Sequence, residues 1–401
     1  MNRNGKKPVL ITGGAGFIGT NLAHRLLEND QRVVLFDNLS RPGVIKNLEW
    51  LRGTHGDRVQ FVRGDIRDAA SVAEVVKSAG KVFHFAAQVA VTTSLDDPIS
   101  DFEINARGTL NLLEAIRATD TPPPLVFTST NKVYGDLKDV TISGRGTRYE
   151  PEDSSLRAHG FGENRPVDFH SPYGCSKGAA DQYVLDYART FDIPALVFRM
   201  SCIYGLHQFG NEDQGWVAHF LIRAIAESPI TIYGDGKQVR DVLFVDDLVD
   251  AFLLAQENMR KLSGQAFNMG GGAANTVSLL ELLRIIEGVH GKPPELEFAD
   301  WRAADQLYYV SDTGKFSQAT GWKPKVNVTG GIGRLYHWLL ENVDSASIVK
   351  GRWDTLNEAS KNGRNGARQT ITTTARSASV SAPRSKRLLQ SNGRSKKLVP
   401  A

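Results

Sequence analysis

A short apolar run, Pro8-Val9-Leu10-Ile11-Thr12, passes straight into Gly13-Gly14-Ala15-Gly16-Phe17-Ile18-Gly19, and a helical pattern follows from Thr20 to Leu27. Strand, glycine turn and helix in that order leave few architectures open. The turn gathers backbone N–H groups and a helix N-terminus where a pyrophosphate can bind. The spacing is G-x-x-G-x-x-G, which makes Gly13, Gly16, Phe17, Ile18 and Gly19 the candidate contacts. A second strand-like run from Arg32 to Phe36 ends at Asp37 and Asn38. A carboxylate at this distance accepts hydrogen bonds from an adenosine ribose and repels a 2′-phosphate, which favours NAD over NADP.

The alternation continues. Val59–Val62 leads to Gly64-Asp65-Ile66, a helix is predicted over 69–78, and Val82 to Ala87 reads as a buried strand. Ligands gather at strand ends in such sheets, so Asp65 and Ile66 are adenine candidates, with Ala86, Ala87 and Gln88 facing the middle of the cofactor. His84, inside the strand, reads as a satisfied core histidine. A long helix over 99–118 carries Asn105, a further cofactor-side candidate. The strand from Leu125 then ends in Ser129-Thr130-Asn131-Lys132. Thr130 is the hydroxyl best placed for a substrate oxygen, although an ordinary strand-end threonine fits the sequence equally well. Residues 136–170 are polar and rich in Gly and Pro; a loop of that length suggests a lid or a substrate-contacting insertion.

This stretch delivers the chain to Ser171-Pro172-Tyr173-Gly174-Cys175-Ser176-Lys177. Pro172 suits a first helical turn, and four-residue spacing puts Tyr173 and Lys177 on one face. An ammonium beside a phenol stabilises the phenolate, so the pair is a candidate general base; alone, the same spacing also describes a solvated helix face. Further on, Asp213 is the expected N-cap of a helix over 217–227. Ile230 to Asp241 reads as a hairpin-like segment bringing out Arg240, and Arg302 precedes Asp305. A guanidinium fork suits a diphosphate, while a surface arginine is the plainer alternative.

At 401 residues the chain can bury a sizeable core. Apolar runs fall short of a membrane span, and the leader before Pro8 leaves no room for a secretory signal, so the cytoplasm is expected. Two cysteines, Cys175 and Cys202, offer neither a disulfide framework nor metal-site spacing. The overall charge of +4 is uneven: residues 345–401 hold twelve Lys and Arg against two Asp and Glu, leaving the rest net acidic. That tail reads as disordered, and the folded body is not expected to bind nucleic acid.

Taken together, the glycine turn, Asp37, the Thr130 segment, Tyr173/Lys177 and Gly234 to Asp241 resemble the extended short-chain dehydrogenase/reductase family of nucleotide-sugar epimerases and dehydratases. The resemblance spans residues 8–341. It implies an α/β fold: a Rossmann-like doubly wound parallel sheet over 1–204, rejoined by about 240–274. A smaller C-terminal nucleotide-sugar-binding domain is expected over 205–239 and 275–344. It also implies a homo-oligomer. Within the family, Thr130 to Gly135, the insertion, the helix after Pro172 and Asp213 to Val217 resemble the CDP-tyvelose epimerase group. A related dehydratase would carry an Asp-Glu pair after the threonine. Here Asn131-Lys132 stands there, and elimination loses its acid and base.

The resemblance implies bound NAD and a nucleotide-diphosphate sugar, inverted at C2 by oxidation to a ketone and hydride return. Thr130, Tyr173 and Lys177 would be catalytic, with Tyr173 and Lys177 also on the cofactor. Gln88, Thr130, Asn131, Gln214, Trp216, Tyr233, Arg240, Arg302 and Asp305 would meet the substrate. Rivals are a UDP-sugar 4-epimerase and a binding protein that senses the nucleotide sugar without turnover.

Overall fold

The computed structural model describes residues 7–302 and 305–343; the basic stretch 345–401 lies outside them. Its centre is a seven-stranded sheet in which every pairing is parallel. Strands β1 (Val9–Thr12), β2 (Val33–Asp37), β3 (Val59–Arg63), β4 (Lys81–His84) and β5 (Leu125–Thr130) are joined by Ala195–Met200 and Ala266–Met269. Their order across the sheet is Ala266–Met269, Ala195–Met200, β5, β4, β1, β2, β3. β1, β5 and Ala195–Met200 are buried almost throughout. Helices on both faces explain why these runs are continuously apolar rather than alternating.

Three helices follow the first strands: α1 (Phe17–Glu28), α2 (Val44–His55) and α3 (Ala69–Lys77). Leu22, Leu26 and Leu27 of α1 pack with Leu48 and Leu51 of α2 against Val9, Ile11 and Leu35 of the sheet. On the other face, Val72, Val75 and Val76 of α3 meet Leu112, Leu113 and Ile116. Strand order reverses at β1, between β2 and β4. In an open parallel sheet such a reversal leaves a crevice beyond the carboxyl ends of the strands.

The predicted helix over 99–118 is broken in character. It runs as Pro98–Phe102, then a π-helical turn Glu103–Arg107 holding Asn105, then Gly108–Arg117. The extra residue of a π-turn re-aims the side chains around it, a feature frequent at functional sites. The Tyr173 helix spans Ser171–Thr190 with Pro172 in its first turn. A buried ion pair fastens it: Arg199 donates at 2.9 Å to each oxygen of Asp181, and to Tyr134 Oη at 3.1 Å. Breaking a buried pair strands a charge, at about 3–5 kcal/mol, so the helix is held firmly against Ala195–Met200.

Three expectations are corrected. The segment 136–170 is not one long loop. It contains the hairpin Ile142–Arg145/Arg148–Pro151 and the helix Ser154–His159. Phe161 stacks on Tyr309 at 5.6 Å, and Arg148 pairs with Glu281. Ile230–Tyr233 and Val239–Phe244 do not form a hairpin either. The first pairs with Leu296–Ala299, the second with Thr276–Ser278, Tyr308–Tyr309 and Cys202–Tyr204. Two glycines at positive φ, Gly234 and Gly236, turn the chain from one small sheet to the other. Finally, Asp213 does not cap the helix Trp216–Ile225; Gly215, in the left-handed region, occupies the N-cap.

Candidate active site

A cleft of about 590 Å³ lies at the strand ends where the order reverses, a size that suits a cofactor site. Gly13, Gly16, Phe17, Ile18 and Gly19 line it. A Cβ on Gly13 would sit 2.7 Å from the Ala86 nitrogen, and one on Gly19 would sit 2.5 Å from Gly13 O. The turn therefore closes only on glycine. The N-terminus of α1 has no side-chain cap and no acidic residue in its first turn. Its amides remain available to an anion, which fits a pyrophosphate.

Asp37 ends β2 beside this turn. One carboxylate oxygen accepts from Leu39 N at 2.8 Å and the other from Ala15 N at 3.1 Å. Burial pushes its carboxyl up, opposed by those two bonds and by Arg41. Asn38 donates to Asp65 at 3.0 Å, and the Arg67 guanidinium holds Asp65 well below the usual carboxylate range. Asn38, Asp65, Ile66, Ala86 and Ala87 all line the cleft. Two sequence candidates do not. Gln88 folds its side chain back onto Ala90. Asn105 is buried beneath the lining, where it donates to Gln88 O at 3.0 Å, Asp101 at 3.1 Å and Ser176 at 3.1 Å. Asn105 thus braces the end of β4 against the Tyr173 helix.

Thr130, at the end of β5, and Tyr173 and Lys177, on the helix, converge in the cleft. Burial pushes the Tyr173 phenol up to about 12, and a hydrogen bond with Thr130 pulls the other way. Lys177 Nζ donates to Thr128 O at 2.6 Å and lies 4.3 Å from the centre of the Phe127 ring. Burial pushes this ammonium down to about 7, with Asp181 and Asp101 opposing. The groups that oppose burial at the phenol are Thr130 and Arg41, while Lys177 Nζ is bonded to a carbonyl at the sheet end. His84 behaves as read, hydrogen-bonded between Thr12 and Thr109, with burial pushing it down to about 3.

The opposite wall is charged. Arg240 is buried and pairs with Asp305 at 2.7 Å. Arg302 lies 4.1 Å over the Tyr233 ring and reaches Glu212 at 3.8 Å and Asp213 at 3.9 Å. Tyr233 Oη donates to the Glu212 carboxylate. Asn131 donates to Gln306 at 3.2 Å, and Trp216 Nε1 meets the Cys202 sulfur at 3.4 Å. Each substrate-side candidate except Gln88 lines the cleft, whereas the insertion at 136–170 contributes nothing to the lining. Among the residues given no binding or catalytic role from sequence, Arg41, Lys132 and Glu212 bring charge to the lining. Burial first, then Arg240, push Lys132 down to about 8.

Residues 9–270 match the pattern of the NAD dependent epimerase/dehydratase family. The chain belongs to that family. It is 44% identical to CDP-paratose 2-epimerase of Salmonella typhi, over 82% of this chain and 98% of that one. It is 34% identical to UDP-glucose 4-epimerase of Mycolicibacterium smegmatis, over 81% of this chain and 96% of that protein. The solved UDP-glucose 4-epimerase of Thermus thermophilus in complex with NAD superposes with a TM-score of 0.70. That match has 32% identity and covers 84% of this chain and all of the other. The cofactor of this epimerase is NAD, and the glycine cradle, the uncapped α1 terminus and Asp37 fit it. Among the described residues no helix is long and apolar enough to cross a membrane, and no group of His, Cys, Asp or Glu could hold a metal ion.

Proposed function

We propose that this enzyme inverts C2 of a CDP-sugar of the paratose/tyvelose kind. The observation that carries the reading is the Thr130-Asn131-Lys132 turn. It places an amide and an ammonium in the cleft where elimination of a hydroxyl needs a carboxyl acid and base. The carboxylates across the cleft do not replace them: Asp305 is held by Arg240, and Glu212 and Asp213 face Arg302. The likeness to the Salmonella typhi enzyme, over 98% of that protein, supports C2 as the reacting carbon.

The glycine turn, Asp37, Asn38 and Lys177 would hold NAD, which supplies a hydride acceptor, then a hydride donor, and a positive ring. Tyr173 takes the proton from the C2 hydroxyl as that carbon is oxidised, and returns it after the ketosugar has presented its other face. With its pKa pushed up to about 12 the phenol is scarcely ionised near neutral pH, so forming the phenolate base depends on added positive charge nearby. Thr130 holds the reacting oxygen. Arg240 and Arg302 anchor the diphosphate while the sugar turns, and Trp216 and Tyr233 bound the nucleotide end of the cleft. In this reading residues 205–239 and 275–344 form a substrate domain. A cytoplasmic homo-oligomer completes the reading, supported by the exposed apolar side chains Leu95, Ile99, Phe102 and Tyr183.

The test incubates purified enzyme, without added cofactor, with CDP-paratose or UDP-glucose in D2O and follows the sugar by NMR. Inversion at C2 of the CDP-sugar without deuterium incorporation there is expected. Inversion at C4 of the UDP-sugar would move the enzyme to the 4-epimerases, and bound NAD without turnover would favour a sensing protein.

A further inference from the structure

Arg41 belongs to neither set of residues so far assigned a role. It follows two side-chain-made turns in immediate succession: Leu39 N donates to Asp37 Oδ1 at 2.8 Å, and Ser40 N to Asn38 Oδ1 at 3.0 Å. Leu39 sits at φ +58°, a left-handed conformation uncommon for a side chain of its size. The paired turns curl the chain back over the cleft. Gly43, at φ +83°, lies so close to Phe209 that a Cβ there would fall 2.8 Å from the ring. Asn47 ties the base of this segment to both walls, donating to Ala15 O at 3.3 Å and His207 O at 3.2 Å.

Arg41 is exposed as a residue, yet its guanidinium enters the cleft and donates to Gln214 Oε1. Crowding around the guanidinium pushes it down, while the charges of Asp37 and Tyr173 oppose that shift. Gln214 is itself fixed. Its backbone exchanges hydrogen bonds with Asn211, at 2.9 and 3.2 Å, before the chain turns through Gly215.

We propose that Arg41 and Gln214 form a strap across the mouth of the cleft that retains the dinucleotide between the two hydride transfers. This rests on the epimerase reading, in which NAD is regenerated in place and gains nothing by leaving. Arg41 is a positioning residue: it retains the cofactor and takes no part in proton transfer.

The experiment measures exchange of bound NAD for radiolabelled NAD in full-length wild type, Arg41→Ala, Gln214→Ala and the double variant, without any sugar present. Melting temperatures of the four proteins control for folding. Both single variants are expected to exchange at least ~10-fold faster, with the double variant no faster than Arg41→Ala, since removing either end opens the same strap. Exchange within about twofold of wild type in both single variants would overturn the proposal. So would additive effects, because Arg41 and Gln214 would then act separately. The readout needs no turnover: a wild type inactive on every sugar would sink the epimerase reading while leaving the exchange result to stand on its own.

Discussion

The pyrophosphate cradle of the cleft is made of backbone, whereas the sugar wall is made of charged side chains. On one side Gly13, Gly16 and Gly19 present amides at a turn too tight for a single added carbon. On the other, Arg240 is held by Asp305, and Arg302 by Glu212 and Asp213, partners far apart in sequence, with Lys132 lining the same cleft. A backbone site is formed before its ligand arrives and fails abruptly when altered. A site of paired charges exchanges one partner for another and fails by degrees. Tyr173 and Thr130 stand at the seam, where a proton moves between the two halves.

The largest effect is expected at that seam. Tyr173→Phe removes the proton acceptor and leaves both walls intact, so kcat should fall by about 10²- to 10⁴-fold. NAD content and CDP affinity, measured by denaturation release and calorimetry, should stay at wild-type values. A comparable loss of NAD would mean that the phenol belongs to the dinucleotide wall and that the seam is misplaced.

Next comes Gly19→Val. Its Cβ would fall 2.5 Å from Gly13 O and 2.8 Å from Gly14 Cα, so the turn must open. Overpacking of this kind costs about 1–3 kcal/mol, or about 5- to 150-fold in NAD affinity. Equilibrium NAD binding checks it. A variant that keeps NAD at wild-type affinity would erase the contrast between an abrupt wall and a graded one.

Lys177 gives a pH test of how dry the seam is. Its folded pKa, about 7, lies below the unfolded value near 10.5. Between those values the unfolded chain binds more protons than the folded one, so stability rises with pH across that window. In protein freed of NAD, wild type should therefore gain stability relative to Lys177→Met from about pH 7 to 9, by up to ~1.4 kcal/mol per pH unit. Parallel curves from denaturant titrations would show that the ammonium is solvated and that its link to Thr128 O is weak.

The same division separates what can be read in the sequence from what cannot. The glycine turn, Asp37, Thr130, Tyr173 and Lys177 mark strand ends or one helix face, and local spacing reveals them. Arg41 and Gln214 meet across 173 residues, and no local pattern anticipates that contact. Lys177 falls on the expected helix face, but the carbonyl that captures its ammonium comes from β5. The insertion at 136–170 reads as a lid because its exposed face is polar. The few residues that fix it, Tyr149, Phe161 and Arg148, pack onto strands and helices that come much later in the chain. Asp213 is a chemically sound cap, displaced by a glycine whose positive φ the hydrophobic pattern does not encode.

The smallest expected effect sharpens the comparison most. Glu212 faces Arg302 at 3.8 Å and accepts from Tyr233 Oη, so a carboxylate stands beside the arginine that a diphosphate would engage. Both side chains of the ion pair are partly exposed, and such pairs are worth about 0.2–1 kcal/mol. A diphosphate must outcompete that attraction. Glu212→Gln removes one of the two carboxylates that compete for Arg302, leaving Asp213, and keeps an acceptor for Tyr233, so CDP should bind about 1.5- to 5-fold more tightly. The gain should shrink as salt is raised, because the lost attraction is electrostatic. NAD exchange should not change, since Glu212 meets the sugar wall only. Weaker CDP binding would make Glu212 a ligand contact in its own right, and the sugar wall would then be as pre-formed as the glycine turn opposite it.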